Sequence, residues 1–446
     1  MNRKQGTENM NEGVELWNEA IDLIPGGSQL LSKRAEMFAP GQWPTYYESA
    51  DGVNVVGVDG NEYTDMSIMG VGSCILGYSD EDVDRRVHET VDKGVMSTLN
   101  APEEVELANT LIDMHPWAER VRYARTGGEA MSIAVRLARA YSGNDTVAFC
   151  GYHGWHDWYL ATNISEEDGL EEHLLPGLDP KGVPDGLAGT AVPFEYNDLE
   201  ELKKIASDND LGAVVLEPIR YKEPDDGFLE GVREIASDHD APLIFDEITS
   251  GFRRELGGVH LDMQVNPNVC VYGKAIGNGY AMAAILGEKP VMDEAQESFV
   301  SSTFWTERIG PSAAIETINK FREENVPQHL NTVGEKIMDG WDRIADENGL
   351  NLKIKSTGMP PLATFKLDYG EETQVLHTLF TQEMLKRGYL AGTSVYVSYS
   401  HTEDEVQGYL GAVDEVFGDI SECIEDGSYR ESLEGNVKHT KFERLN

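Results

Sequence analysis

From about residue 102 to 287, short apolar runs alternate with longer stretches of helical periodicity. The apolar runs are TVAFC (146–150), GAVVL (212–216), PLIFD (242–246), VCVY (269–272) and MAAIL (282–286). Between them, apolar residues recur every three or four positions over 103–114, 129–141, 198–208 and 228–239. A continuously apolar strand is one buried on both faces, and strands separated by helices are those of a parallel sheet. The pattern predicts an α/β fold: a large domain with a mostly parallel central sheet covered by helices. In such sheets, ligands bind at the carboxyl ends of the strands. Glu217, Asp246 and Lys274 each fall at or just past the end of a predicted strand, so the topology brings all three to one edge.

The flanks read differently. Residues 12–24 have the spacing of an amphipathic helix (Val14, Leu16, Trp17, Ala20, Ile21, Ile24), stopped by Pro25-Gly26-Gly27. Residues 45–66 alternate around turn signals at Asp51-Gly52 and Asp59-Gly60, which predicts a small antiparallel meander. Past residue 330, helical stretches at 329–348, 373–387 and 403–418 interleave with the strand-like LKIKST, LATFKLD and VYVSYS. The expected organisation is an N-terminal helix and meander (1–85), a large domain (86–328) and a smaller α/β C-terminal domain (329–446). A chain of 446 residues is too long for one ordinary core, which fits this division.

Charge narrows the partners. There are 79 acidic and 36 basic side chains, a formal net charge of −43, which repels nucleic acid and anionic membranes. The acids are spread along the chain, as in SDEDVD, NISEEDGLEE, KEPDD and FREEN. Combined with long apolar strands, this predicts a folded protein with an acidic surface, suited to the salt-rich cytoplasm of a halophile, where screening removes self-repulsion. No apolar window approaches a membrane span, and MNRKQGTENMNEGVELW has no apolar core of a secretory signal, so a cytoplasmic location is expected. Cys74, Cys150, Cys270 and Cys423 are widely spaced and read as free thiols.

The chemistry-bearing residues follow from the strand ends. Burying a carboxylate or an ammonium costs several kcal/mol unless it is compensated or used. An acid that can pair with a ring nitrogen (Asp246) and a lysine that can form an imine (Lys274) are what pyridoxal phosphate (PLP) chemistry requires. These two residues alone leave open a plain buried ion pair. Thr126-Gly127-Gly128 precedes a strong helical run; small residues and a helix N-terminus together make a phosphate seat, though an ordinary cap has the same look. In GYHGWHDWY, an aromatic could stack on a flat cofactor ring, while His153, His156 and Asp157 offer a rival metal site for a hydrolase. Ser301, Ser302 and Thr303 could donate to a phosphate. The chain has no G-x-S-x-G elbow, no P-loop, and no G-x-G-x-x-G that opens a helix after a strand.

Taken in order from IPGG (24–27) to YSHTEDEV (399–406), these segments resemble the class III PLP-dependent aminotransferases, in the group containing glutamate-1-semialdehyde 2,1-aminomutase. The resemblance implies fold type I PLP architecture, as in aspartate aminotransferase, and a homodimer with active sites at the subunit interface. It implies that Lys274 in GKAIGNG is the Schiff-base lysine and that Asp246 in FDEITSGFR pairs with the pyridine nitrogen. Ile248 matches the aliphatic residue on one ring face, and Tyr152 the aromatic on the other. Thr126, Gly127 and Gly128 match the phosphate turn, and Thr303 the threonine that reaches the neighbouring subunit's phosphate. Glu129 and Glu217 match acidic residues near the cofactor, Glu129 toward the substrate.

Three departures shape the functional expectation. The turn commonly reads S-G-T-E-A in the family, and Gly128 here drops a hydroxyl. Trp305-Thr306-Glu307-Arg308 replaces a common S-G-N-P. Aminomutases carry P-S-x-F-E before A-H-T, whereas this chain has Thr393-Ser394-Val395-Tyr396, with no glutamate. An aminotransferase acting between an amino donor and an oxo acceptor is therefore expected. The aminomutase and a non-catalytic PLP-fold binding protein are the alternatives. A carboxylate-holding cation is expected after the P-G-G turn, where Arg34 is chosen over Lys33 because guanidinium grips carboxylate with two bonds.

Overall fold

The computed structural model describes residues 12–165, 180–219, 222–355 and 358–440. The five apolar runs are strands of one seven-stranded sheet, each within a residue or so of its predicted place. Its strands are β1 (Arg120–Ala124), β2 (Thr146–Cys150), β3 (Ala191–Pro193), β4 (Leu211–Leu216), β5 (Leu243–Asp246), β6 (Val269–Tyr272) and β7 (Ala283–Gly287). They lie in the order β1-β7-β6-β5-β4-β2-β3. Strands β3, β2, β4, β5 and β6 are parallel, and β7 is antiparallel to both β6 and β1. Sequence pattern missed β1 and β3: arginines interrupt the first, and the second spans three residues.

Register puts the strand ends in line. Cys150 pairs with Leu216, Leu216 with Phe245, and Asp246 with Val271. The chain therefore leaves the sheet at residues 151, 217, 247 and 273 along a single edge. Strand β1 ends at the same edge and leads through Arg125 and Thr126 into the helix Gly127–Ser142. That helix buries Ala130, Ala134 and Ala138 along with Met131, Ile133, Val135 and Leu137. Small side chains let it lie close on Val147, Phe149, Ala213, Val215 and Ile244 of the sheet. Burial of this kind stabilises by roughly 25 cal/mol per Å² of apolar surface removed from water.

By compactness the chain divides into two units, Glu81–Gln328 and the combination of Met1–Asp80 with His329–Asn446. The second unit joins both ends of the chain. Its antiparallel meander, Tyr47–Asp51, Asn54–Gly57 and Glu62–Met66, gains Tyr389–Ala391 as a parallel neighbour of the last strand. A separate sheet holds Leu352–Ile354, Leu362–Leu367 and Ser394–Tyr396. Of the strand-like LKIKST, residues 356 and 357 lie outside the described residues. The core of this unit is aromatic. Trp341 meets Phe365 edge-on at 4.8 Å and donates its indole N–H to Tyr409 at 3.1 Å.

Gly334, inside the helix Val326–Glu347, shows packing overriding helix propensity: a Cβ there would stand 2.1 Å from the carbonyl oxygen of Pro360. Propensity alone favours Gly334→Ala by roughly 1 kcal/mol, and overpacking against rigid backbone costs about 1–3 kcal/mol. Gly334→Ala is expected to lower the thermal unfolding midpoint, and calorimetry of the two proteins checks it.

Candidate active site

Asp246, the last residue of β5, is 3 % exposed. A carboxylate so buried needs donors, and it has two. The Ile248 amide donates to Oδ1 at 3.0 Å, and His153 Nδ1 lies 2.8 Å from Oδ2. The other ring nitrogen, Nε2, is 3.1 Å from the carbonyl oxygen of Cys150, which can only accept. With both nitrogens engaged, His153 has none for a metal. His156 caps the short helix that begins at Asp157, and among the described residues His153, His156 and Asp157 do not gather within metal-ligand reach of one another.

Past β6 the chain turns through Gly273 into a 3₁₀ turn, Lys274–Gly277, with Lys274 itself at φ +40°. A lysine in the left-handed region is strained, and such strain gathers where side chains must be aimed. Its Nζ donates to Thr249 Oγ1 at 2.7 Å. Ile248 is the meeting point of three segments. A Cβ added at Gly127 would sit 2.8 Å from Ile248 Cδ1, and one added at Gly273 would sit 3.2 Å from Ile248 Cγ2. The glycine turn, the acid loop and the lysine segment are thus in mutual van der Waals reach.

Thr126 caps the helix Gly127–Ser142 in a reciprocal box with Glu129. Glu129 Oε2 accepts from the amides of both Arg125 and Thr126. The amides of Gly127 and Gly128 have no partner among the described residues and face outward at a helix N-terminus. Two free amides, two residues without side chains and the positive end of a long helix make a cradle suited to a phosphate. With Asp246 to hold a protonated ring nitrogen and Lys274 alongside, the residues present fit pyridoxal phosphate. The replaced segment Trp305–Arg308 is structural in its second half. Glu307 approaches Arg125 at 3.0 Å as a charge pair without an aligned Nε–H, and it accepts from the amides of Ile309 and Gly310. Arg308 grips Glu103 with two bonds, at 2.7 and 3.1 Å.

The remaining predicted residues are less tightly joined. Glu217, buried just past β4, accepts from the Tyr152 amide at 3.0 Å. Thr303 stands exposed at the start of the turn Thr303–Thr306. Arg34 and Lys33 belong to the other unit. Arg34 is 8 % exposed and lies on the P-G-G turn, where a Cβ at Gly26 would meet its guanidinium at 2.0 Å. Lys33 is exposed, and its charge acts on Asp65 and Cys74. Nearby in sequence, Met69, Gly70, Val71 and Gly72 all take positive φ, strained at the β-branched Val71.

A buried polar network at the ends of β5 and β6 had no counterpart in the sequence reading. Alternation along the strand turns Glu247 to the face opposite Asp246. Its carboxylate accepts from Ser250 Oγ, the amides of Val259 and His260, and His260 Nδ1 at 2.6 Å. His260 Nε2 in turn accepts from Trp117 Nε1, so the proton of this ring is on Nδ1. Glu247, His260 and Cys270 have metal-like spacing, but hydrogen bonds already occupy the first two. Tyr272, two residues before Lys274, joins through His115 Nε2 at 2.7 Å, while His115 Nδ1 donates to the Leu111 carbonyl. Two adjacent acids at a strand end were the only local sign of this arrangement.

The family model described as aminotransferase class-III matches residues 37–394. A 3-aminobutyryl-CoA aminotransferase of Cloacimonas acidaminovorans is 32 % identical over 426 residues, covering 92 % of this chain and 98 % of that protein. A glutamate-1-semialdehyde 2,1-aminomutase of Methanothrix thermoacetophila is 31 % identical over 373 residues, covering 82 % and 83 %. Among solved structures, the FumI protein of Sphingopyxis sp. MTA144 in its PLP form superposes with a TM-score of 0.83 at 23 % identity, covering 96 % of this chain and 99 % of that one.

The network under Lys274 carries a pH signature. Burial pushes His115 from its usual 6.5 down to about 4, against the bond to Leu111. A base whose folded pKa is depressed binds its proton more readily when unfolded. Its stabilisation is complete above pH 6.5 and drains away between 6.5 and about 4, by about 3 kcal/mol. Denaturant midpoints at fixed salt should fall over that window, and His115→Gln should flatten the fall by about one proton.

Proposed function

The chain belongs to the class III aminotransferase family and has the fold type I α/β architecture of a PLP-dependent transferase, and from that premise we propose that Lys274 and Asp246 carry its reaction. The observation behind this assignment is the convergence at Ile248 of the glycine turn, the acid loop and the lysine segment. When bound, pyridoxal phosphate supplies a conjugated ring that takes up the electron pair left when a C–H bond beside nitrogen breaks. Lys274 Nζ would hold the coenzyme covalently and would be the group that a substrate amine displaces. The freed amine would be the base that accepts the proton from the substrate carbon and the acid that gives it back. Asp246, fixed by the Ile248 amide and His153, keeps the pyridine nitrogen protonated. Thr249 holds Nζ in the resting site. Thr126, Gly127 and Gly128 would hold the phosphate, and Ile248 and Tyr152 would hold the ring. Glu217 fixes the backbone at Tyr152. Arg34 and Glu129 are assigned to the substrate end.

An intermolecular aminotransferase is favoured over an aminomutase. Identity does not separate them, since relatives of both kinds match about equally. The segment Thr393–Tyr396 supports the aminotransferase: Ser394–Tyr396 is a strand paired with Leu362–Leu367, and it carries no carboxylate where the resemblance places an aminomutase's glutamate. An amino donor and an oxo acceptor are the small-molecule partners. We take the working form to be a homodimer. Thr303 sits in a segment with Phe299 88 % exposed and Phe304 68 % exposed, apolar surface that a single chain leaves bare. Among the described residues no helix is long and apolar enough to cross a membrane, and we assign the protein to the cytoplasm of a halophile on its charge of −43.

With coenzyme added in molar salt, the wild-type protein should show the visible absorption of a lysine-bound coenzyme, which an effective amine bleaches toward the aminated form. Lys274→Ala should show neither that band nor turnover; wild-type transamination by this variant would sink the assignment. Glutamate-1-semialdehyde supplied alone should yield no 5-aminolevulinate, and rapid formation of it would reinstate the mutase. Raising salt from about 0.1 M to about 1 M shrinks the Debye length from ~10 Å to ~3 Å. The unfolding midpoint should climb steadily over that range, and a flat response would remove the halophilic reading.

A further inference from the structure

Above the glycine turn, the space that a side chain at position 128 would occupy is filled by the imidazole of His156. A Cβ added at Gly128 would stand 2.6 Å from His156 Cε1 and 2.7 Å from its Nδ1. Trp155 stacks on the ring at 4.3 Å and 26°. His156 Nδ1 is buried and has no hydrogen-bond partner among the described residues. A buried ring nitrogen left without a partner is costly, and beside a phosphate cradle a ligand oxygen is a partner that would satisfy it. The unpartnered nitrogen thus lies against Gly128, whose amide has no partner among the described residues, at the N-terminus of the helix Gly127–Ser142.

Resting on the coenzyme assignment above, we propose that His156 Nδ1 donates a hydrogen bond to the coenzyme phosphate, supplying in trans the contact that the missing side chain of Gly128 cannot make. Gly128 and His156 then act as one unit: the residue without a side chain opens the space, and the imidazole fills it with a donor. Burial lowers the pKa of His156 while Glu129 and Asp157 oppose the shift, so the ring is neutral before the ligand arrives. A neutral ring in the Nδ1–H form donates without carrying a charge into the site. Trp155, 70 % exposed, serves as the lid of the ring and keeps it from rotating away.

The test compares affinity for pyridoxal phosphate with affinity for pyridoxal, which lacks the phosphate, by absorbance titration of the apoprotein. His156→Ala is expected to weaken pyridoxal phosphate roughly tenfold and to leave pyridoxal unchanged. His156→Asn, whose amide nitrogen stands near the place of Nδ1, should retain most of the affinity. Gly128→Ser alone should weaken the phosphorylated form by colliding with the imidazole. Combined with His156→Ala, it should bind tighter than His156→Ala does by itself. Equal weakening of both ligands by His156→Ala would make the ring a packing element and overturn the proposal, as would unchanged binding of both. A wild-type protein that takes up neither ligand would instead overturn the coenzyme assignment.

Discussion

A carboxylate buried at the end of a strand is the constraint on which the site depends. Asp246 cannot stay charged at 3 % exposure without fixed donors, and the fold provides one from its own loop and one from the histidine after β2. Each donor fixes more than a charge. The Ile248 amide can reach Asp246 only if the loop turns at once, and that turn places Ile248 between Gly127 and Gly273. His153 can reach it only if β2 and β5 are held in register through β4, as the pairing of Cys150, Leu216 and Phe245 holds them. The need to pair one charge thus brings together the ends of strands distant in sequence.

The opposite face is built on the same logic. Glu247 is turned away from the coenzyme side and collects donors from Ser250, Val259 and His260. His115 ties in Tyr272, so the segment that presents Lys274 is anchored two residues upstream. Rigid support beside a strained lysine suits the role proposed for Lys274, because it keeps the amine aimed with little reorganisation.

Much of this was legible in the sequence, for identifiable reasons. The strands of the large sheet announced themselves because they are buried on both faces, and Glu217, Asp246 and Lys274 stood out because polar residues rarely end such runs. The four helices expected between the strands of the large sheet lie within two residues of their predicted limits, whereas the last one, expected at 403–418, runs on to Asp426. What local pattern could not carry was long-range pairing. His153 read as a candidate metal ligand because its partner lies 93 positions away. Tyr389–Ala391 is too short to read as a strand, so the shared sheet of the two chain ends was hidden. The reciprocal cap of Thr126 and Glu129 was readable in its T-x-x-E spacing and shows what holds the Glu129 carboxylate. Gly128 read as a lost contact, while the ring that takes its space comes from another segment.

The central claim is that this fold directs one particular lysine to the coenzyme. Its most direct test is borohydride reduction of the protein with pyridoxal phosphate in molar salt, followed by peptide mass mapping. The account predicts a single pyridoxyl adduct, on the peptide containing Lys274. An adduct confined to another lysine, or none in protein that has taken up the coenzyme, would contradict it.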